Sequence, residues 1–273
     1  MKAGKLSESV LKRSVLKQLH TDHVAGNATL DETMAKHIVT EPQIGADYAA
    51  AQLNRKCAGG IDVQAGKSPA GADIHMPDSI AEGTSVVSAM ATRCLGGSMN
   101  PMLSVYAALN NLYCSGAEAY GIMVNLLLPT SANENELRKW VKMIDTVCAK
   151  EGIAVLGGHT EVVRAVNEPV VTVTALGTVA EEKRIGAGTV KPGMDILITK
   201  QIALEGTAIL ATQHEQELSG RYAAPFIDRA KRFIDYLSIR SEAAVAAKSG
   251  VAAMHDISEG GVFGALWELG QSS

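Results

Sequence analysis

The run from Tyr120 to Val179 constrains the fold more than any other part of the chain. Tyr120 to Leu128 is strongly apolar and reads as a buried strand, stopped by Pro129. Ser131-Ala132-Asn133-Glu134 has the pattern of a capping box. Behind it Leu137, Trp140 with Val141, Ile144, and Val147 with Cys148 recur at helical spacing, and Gly152 ends the helix. Ile153-Ala154-Val155-Leu156 reads as a second short buried strand. From Pro169 to Val179, Val171, Val173, Ala175 and Val179 alternate with Thr172, Thr174 and Thr178, the pattern of a half-buried strand. Strand, capped helix, strand and strand predict a mixed α and β architecture.

Between the last two strands lies Gly157-Gly158-His159-Thr160-Glu161. Two glycines at a strand end let a ligand approach the backbone, and their N–H groups can form an anion-binding concavity. A titratable ring, a hydroxyl and a carboxylate then stand at one spot, which phosphate and metal chemistry requires. Taken alone, the five residues read first as a tight Gly-Gly turn with three solvated polar side chains.

The 273 residues suit one large domain or two ordinary ones, and 47% hydrophobic against 20% charged residues supports a buried core. Aromatics are only 4%, so Ala, Val, Leu and Ile must do the packing. A formal charge of −4 without a basic block excludes the footprint of a nucleic-acid binder. No apolar run approaches the ~20 residues that span a bilayer. The N-terminus lacks a signal-peptide core, so the expected setting is the cytoplasm. Cys57, Cys94, Cys114 and Cys148 are scattered without C-x-x-C spacing and read as reduced thiols, Cys148 on the buried face of its helix.

Upstream, Ser7 can cap a helix to about Leu19, a short helix is expected around Asp31 to Val39, and an extended segment opens at Gly45 to Ala49. Asn54 to Asp78 reads as loop with strand pieces, and Thr84 to Ser88 as a strand. Asn100-Pro101 starts a helix that ends near Gly116, with Asn as cap and Pro at the first position. Downstream, a domain boundary is expected between Arg184 and Lys191, dividing the chain into 1–185 and 186–273. Ile196 to Thr199 and Val251 to Met254 read as strands. Helices are expected after Glu205, from Pro225 to Leu237 with Phe226/Ile227, Ala230, Ile234 and Leu237 inward, from Glu242 to Lys248, and from Val262 to Leu269.

Three segments share one design, a strand end followed by Gly with acidic or hydroxyl residues: Gly157 to Glu161, Glu205 to Thr207, and His255-Asp256-Ile257-Ser258-Glu259-Gly260-Gly261. In the third, Ser258 can cap the last helix, and Gly260-Gly261 would leave the first-turn amides open to phosphate. An ordinary helix start with glycines for close packing fits that loop equally well. Asn110-Asn111 sits inside a helix beside apolar residues. Asn is a mediocre helix former, so at least one of the two side chains should have a specific polar partner.

In order and spacing, Gly157 to Glu161, Lys191-Pro192-Gly193-Met194-Asp195 and His255 to Gly261 resemble the aminoimidazole-ribonucleotide (AIR) synthase, or PurM, superfamily. Val105 to Asn111, Gly116-Ala117-Glu118 and Leu204 to Leu210 resemble its HypE-like, AIR synthase-related branch. The resemblance spans nearly the whole chain. It implies a PurM-like two-domain α+β / α/β fold: an N-terminal α+β domain whose strands form a barrel-like sheet across a homodimer, and a C-terminal α/β domain, here incomplete. It implies ATP and Mg²⁺ as cofactors and an ATP-using enzyme that activates a small-molecule substrate by phosphorylation. Asp47 and Glu161 then match the metal site, and Gly157, Gly158 and Thr160 the phosphate site. His159 and Glu161 are the candidate catalytic side chains. Asn111, His255, Asp256, Gly260 and Gly261 approach the nucleotide.

The chain departs from that pattern in three places. Asn111 falls where relatives usually have Asp, losing a charge that a Mg²⁺ site uses. Ser88-Ala89-Met90-Ala91 lacks the Asp that relatives tend to carry there. The chain also stops at Ser273, short of its relatives' length, and HypE's C-terminal Cys has no counterpart because the last cysteine is Cys148. These departures keep two alternatives in view: a dimeric binding or scaffold protein without metal chemistry, and a small-metabolite kinase resembling thiamine-monophosphate kinase.

Overall fold

The computed structural model describes residues 48–52, 83–94, 97–186 and 188–273. Asp47, Cys57, the two N-terminal helices expected at Ser7 to Leu19 and Asp31 to Val39, and the Asn54 to Asp78 segment lie outside the described residues. The first half of the described chain is built on one sheet. Its strands are β1 (Tyr48–Gln52), β2 (Thr84–Arg93), β3 (Glu118–Leu128), β4 (Ala154–Val162) and β5 (Val170–Ala180), in the spatial order β1-β2-β5-β3-β4. Pairing is antiparallel except between β3 and β4. Parallel neighbours need a long crossover, and the helix α2 (Glu134–Glu151) provides it.

The α2 helix forms for the reasons its sequence suggests, with the cap two residues later than the Ser131 pattern predicts. Asn133 is the cap: its Oδ1 accepts from the Glu136 N–H at 3.1 Å, and Glu136 Oε2 accepts from the Asn133 N–H at 3.2 Å. Ser131-Ala132 is spent on a turn, with the Ala132 N–H on the Pro129 carbonyl at 3.0 Å. Gly152, left-handed at φ 68°, closes the other end. Ile144, Val147 and Cys148 are buried, and burial pushes the Cys148 thiol up to about 12.

One face of the sheet is packed. Helix α1 (Asn100–Tyr113) starts one residue earlier than expected and lies against β2 and β5, with Leu103, Val105, Leu109 and Leu112 fully buried on Val87, Val171 and Val173. The alternation expected for β5 is observed: Val171, Val173, Ala175 and Val179 point inward. Alternation runs through β2 as well, so that strand continues past Ser88 to Arg93. The short Ile153–Leu156 run is not a buried strand. It opens β4, an edge strand of the described sheet, and Val155 and Leu156 are 47% and 43% exposed.

The second half is helical: α3 (Leu204–Gln213), α4 (Glu215–Ser219), α5 (Ala224–Lys231) and α6 (Arg240–Lys248), then α7 (Gly261–Ser272). The helices expected after Glu205, from Pro225, from Glu242 and from Val262 are all present, and α4 is one that the sequence did not predict. The Pro225–Leu237 helix changes to a tighter 3-10 turn over Arg232–Tyr236. Ile227, Ala230 and Leu237 are inward as predicted, whereas Phe226 is outward and stacked on Tyr222 with ring centroids 5.3 Å apart. The strands expected at Ile196–Thr199 and Val251–Met254 do not form. Leu197 is 85% exposed. An extended segment becomes a strand only when a neighbour takes its N–H and C=O groups, and no described strand lies beside either.

The connector after Tyr236 is pinned to the first half. Asn110 Nδ2 donates to the Leu237 carbonyl at 2.9 Å, and the Ile239 N–H donates to Asn110 Oδ1 at 3.1 Å. Lys150 Nζ donates to the Asp235 carbonyl at 2.9 Å, and Arg240 Nη1 donates to the Glu151 carbonyl. Beneath them Tyr113 donates to the buried Glu151 carboxylate at 3.1 Å.

Candidate functional site

Gly157 to Glu161 is not a corner between strands. It is the body of β4, paired residue by residue with Met123 to Leu127 of β3. The need for glycine at 158 comes from that pairing, since a Cβ there would sit 1.8 Å from the Val124 carbonyl oxygen. Gly157 faces open space. The three polar residues then divide between the two faces of the sheet. His159 and Glu161 share one face, with His159 Nε2 3.3 Å from Glu161 Oε2 and the side chains 66% and 58% exposed. Thr160 lies on the other face. It is in register with Leu126, Val171 and Arg93, the row that α1 covers further along. Three strand spacings separate Thr160 from Arg93, about 15 Å between backbones.

The face that the described residues leave uncovered carries a polar row across four strands: Thr92, Thr172, Asn125 and His159. Thr92 and Thr172 hydroxyls are 2.9 Å apart. Met90 and Met123 flank the row and are 63% and 47% exposed.

The third glycine segment is more enclosed. His255 and Asp256 side chains are 6% and 5% exposed, and His255 Nδ1 donates to the Asp256 carbonyl oxygen at 2.7 Å. His255 Nε2 lies 3.3 Å from Glu268 Oε2 on α7. Asn111 reaches this loop from α1; with its amide turned so that nitrogen rather than oxygen faces the carboxylate, it donates to both Asp256 oxygens at 3.0 and 3.2 Å. The expectation of a polar partner at Asn110-Asn111 is met by both residues. Ser258 is not the helix cap. Gly260 is, at φ 88°, followed by Gly261 at φ 62°. Two successive left-handed residues need glycine, and they turn the chain so that the Ser258 carbonyl accepts from the Gly261 N–H at 3.1 Å.

Arg93, Glu205 and Glu259 were not singled out by the sequence. Arg93 Nε donates to Glu205 Oε1 at 3.2 Å and Nη1 to Glu259 Oε1 at 3.1 Å. The only hint was that both glutamates sit in segments of the shared glycine design. The structure therefore brings Asn111 to Asp256, His159 to Glu161, and the second and third glycine segments to Arg93. Asp47 lies outside the described residues. Among the described residues no three His, Cys, Asp or Glu side chains gather as a metal site. The one candidate ligand on the described sheet is Glu161, an exposed carboxylate of the hard-oxygen type that Mg²⁺ accepts alongside phosphate oxygens. No described helix is long and apolar enough to cross a membrane.

Comparison with known proteins adds family evidence. The AIR synthase related protein, N-terminal domain, matches residues 83–179, and the AIR synthase related protein, C-terminal domain, matches residues 191–273. A hydrogenase expression/formation protein of Methanocaldococcus jannaschii is 26% identical over 171 residues, covering 63% of this chain and 49% of that protein. A carbamoyl dehydratase HypE of Rhodobacter capsulatus is 23% identical over 173 residues, covering 63% and 48%. The chain spans about half the length of these curated relatives. The crystal structure of the hydrogenase maturation protein HypE in complex with ATP superposes with a TM-score of 0.54 at 17% identity, covering 99% of this chain and 67% of that one. At that identity the likeness is one of fold.

Proposed function

The chain belongs to the AIR synthase related protein family, and on that premise we propose that it binds ATP with Mg²⁺ and activates a small-molecule substrate by phosphorylation. The observation that carries this reading is the fastening of the 255–261 loop to the first half. Asn111 holds it at Asp256 and Arg93 holds it at Glu259. The glycine-opened amides at the start of α7 thereby lie by Arg93, which shares its cross-strand row and its sheet face with Thr160 three strands away; Glu161 follows Thr160 on the opposite face of the edge strand β4. Helix N-termini of this kind favour phosphate oxygens.

In this reading Gly157, Gly158 and Thr160 lie along the phosphates, with Gly260 and Gly261 approaching from the second half. Glu161 and Asp47 are the metal ligands, and His159 moves a proton or contacts phosphate. His255 and Asp256, with side chains 6% and 5% exposed, approach the nucleotide from within the loop that they help to hold. Bound Mg²⁺ supplies charge neutralisation and orientation of the terminal phosphate. The sheet face left open among the described residues, with its polar row beside Met90 and Met123, is the surface a second copy would cover in a homodimer. The division of the chain is placed near residue 185.

A second reading has its own support. The Asn111 amide, a neutral donor, faces Asp256, and Ser88 to Ala91 of β2 carries no acid. A dimeric binding or scaffold protein that kept the fold needs no more than that. Titration calorimetry with ATP, with and without Mg²⁺, separates the two. Metal-dependent heat with slow ADP release is expected, and Asp47→Asn should weaken the metal-dependent part. No binding at millimolar ATP would leave the scaffold. ADP release that requires an added substrate would favour a metabolite kinase like thiamine-monophosphate kinase.

A further inference from the structure

We propose that Arg93 is the positioning residue of the site's second half, one guanidinium that sets the first turn of α3 and the 255–261 loop at a fixed spacing over the sheet end. Arg93 is the last residue of β2 and shares a face with Val87, Ala89 and Ala91, the face that packs under α1. Its side chain is only 11% exposed. A guanidinium that enclosed needs acceptors, and it finds them on two separate elements. Nε takes Glu205 in the first turn of α3, and Nη1 takes Glu259 just before Gly260-Gly261. Nη1 also approaches the Thr92 carbonyl at 3.4 Å.

One cation serving two carboxylates makes the arrangement a clasp. Without the guanidinium, Glu205 and Glu259 would face each other across its place with no counter-charge, so both elements would shift. The planar fork matters as well as the charge. Donors on different nitrogens dictate where each carboxylate sits, whereas a lysine ammonium is a point charge that dictates no spacing. Among the described residues the loop is then fastened at Asp256 by Asn111 and at Glu259 by Arg93. This inference deepens the nucleotide-site reading above and rests on it for its purpose, since a preset loop aims the α7 amides. The clasp itself can be tested without nucleotide.

The experiment is hydrogen exchange on the full chain without ligand, followed by ATP titration with Mg²⁺. In Arg93→Gln, amides 204–208 and 259–263 should both exchange roughly tenfold faster, the loss expected for a charge-assisted hydrogen bond, while amides of β5 stay as in the wild type. Glu205→Gln should loosen only the first segment and Glu259→Gln only the second. Arg93→Lys should leave at least one segment loose, and Arg93→Gln should weaken ATP binding roughly tenfold. The proposal is overturned if Arg93→Gln affects one segment alone, if exchange rises evenly over the whole chain, or if Arg93→Lys restores both segments. If wild-type protein binds no ATP, the nucleotide reading falls, and the exchange pattern still decides the clasp.

Discussion

Gly157 and Gly158 are neighbours in β4 with different reasons to be glycine. At 158 the β3 backbone occupies the place of a side chain, whereas at 157 there is room. Gly158→Ala should therefore destabilise the protein by about 1–3 kcal/mol or separate β4 from β3, while Gly157→Ala should be nearly neutral. Urea unfolding of the two variants checks this, and equal stabilities would contradict the pairing. Glu181 offers a test through pH. Its carboxyl is held below its ordinary value of 4.5 by the Arg184 guanidinium and the Ser85 hydroxyl. A carboxylate with a lowered pKa in the folded state stabilises above the unfolded value and loses that contribution as pH falls through the folded one. Glu181→Gln should thus be less stable than wild type at neutral pH, and the gap should close as the solution is acidified. A gap that widens in acid would reverse the assignment. At this scale the sequence was most informative where a residue was out of place. Two asparagines in an apolar helix signalled partners, though not which ones, because those partners lie more than a hundred residues away.

At the scale of the element, α2 was the most readable part of the chain because its signals are local: a cap, a periodic apolar face and a terminating glycine. The start was misplaced because Ser131 and Asn133 both offer a plausible cap with a glutamate three residues on. The turn after Pro129 settles the choice. Asn133→Ala should cost about 1 kcal/mol of stability in chemical denaturation, and Ser131→Ala little. The reverse ranking would restore the Ser131 box. Strands were harder to read. Apolar runs at Ile153–Leu156 and Ile196–Thr199 look alike in sequence. The first joins a sheet because α2 returns it beside β3, and the second has no described strand to join. Strand formation is decided by a neighbour, and the neighbour is not written in the run itself.

At the scale of the whole molecule, the halves share one apolar cluster, which Ala208, Leu237 and Ala243 join from the second half, and named polar groups tie them across it. Asn110 makes two of these ties, through both ends of its amide. Asn110→Ala would strand the Leu237 carbonyl and the Ile239 N–H, a loss of about 1–3 kcal/mol. The second half should then melt before the sheet, visible as two transitions in calorimetry where wild type shows one. A single transition at an unchanged temperature would show that the tie is idle. The site follows the same logic. Its glycine segments were visible one at a time, but their assembly depends on Arg93 and Asn111 reaching across the chain.

What the residues alone determined is whatever short-range physics governs: the helices with their stops, the inward stripe of β5, the separation of apolar from polar faces, and the ordered motifs that marked the family. Tertiary structure decided the rest. It made β4 an outer strand, turned a supposed Gly-Gly corner into sheet, placed His159 and Thr160 on opposite faces, and put one arginine between two distant glutamates. The reason is the range of the forces. Caps and periodicity act within a few residues, whereas strand order and ion pairing become defined only once the chain has folded back on itself.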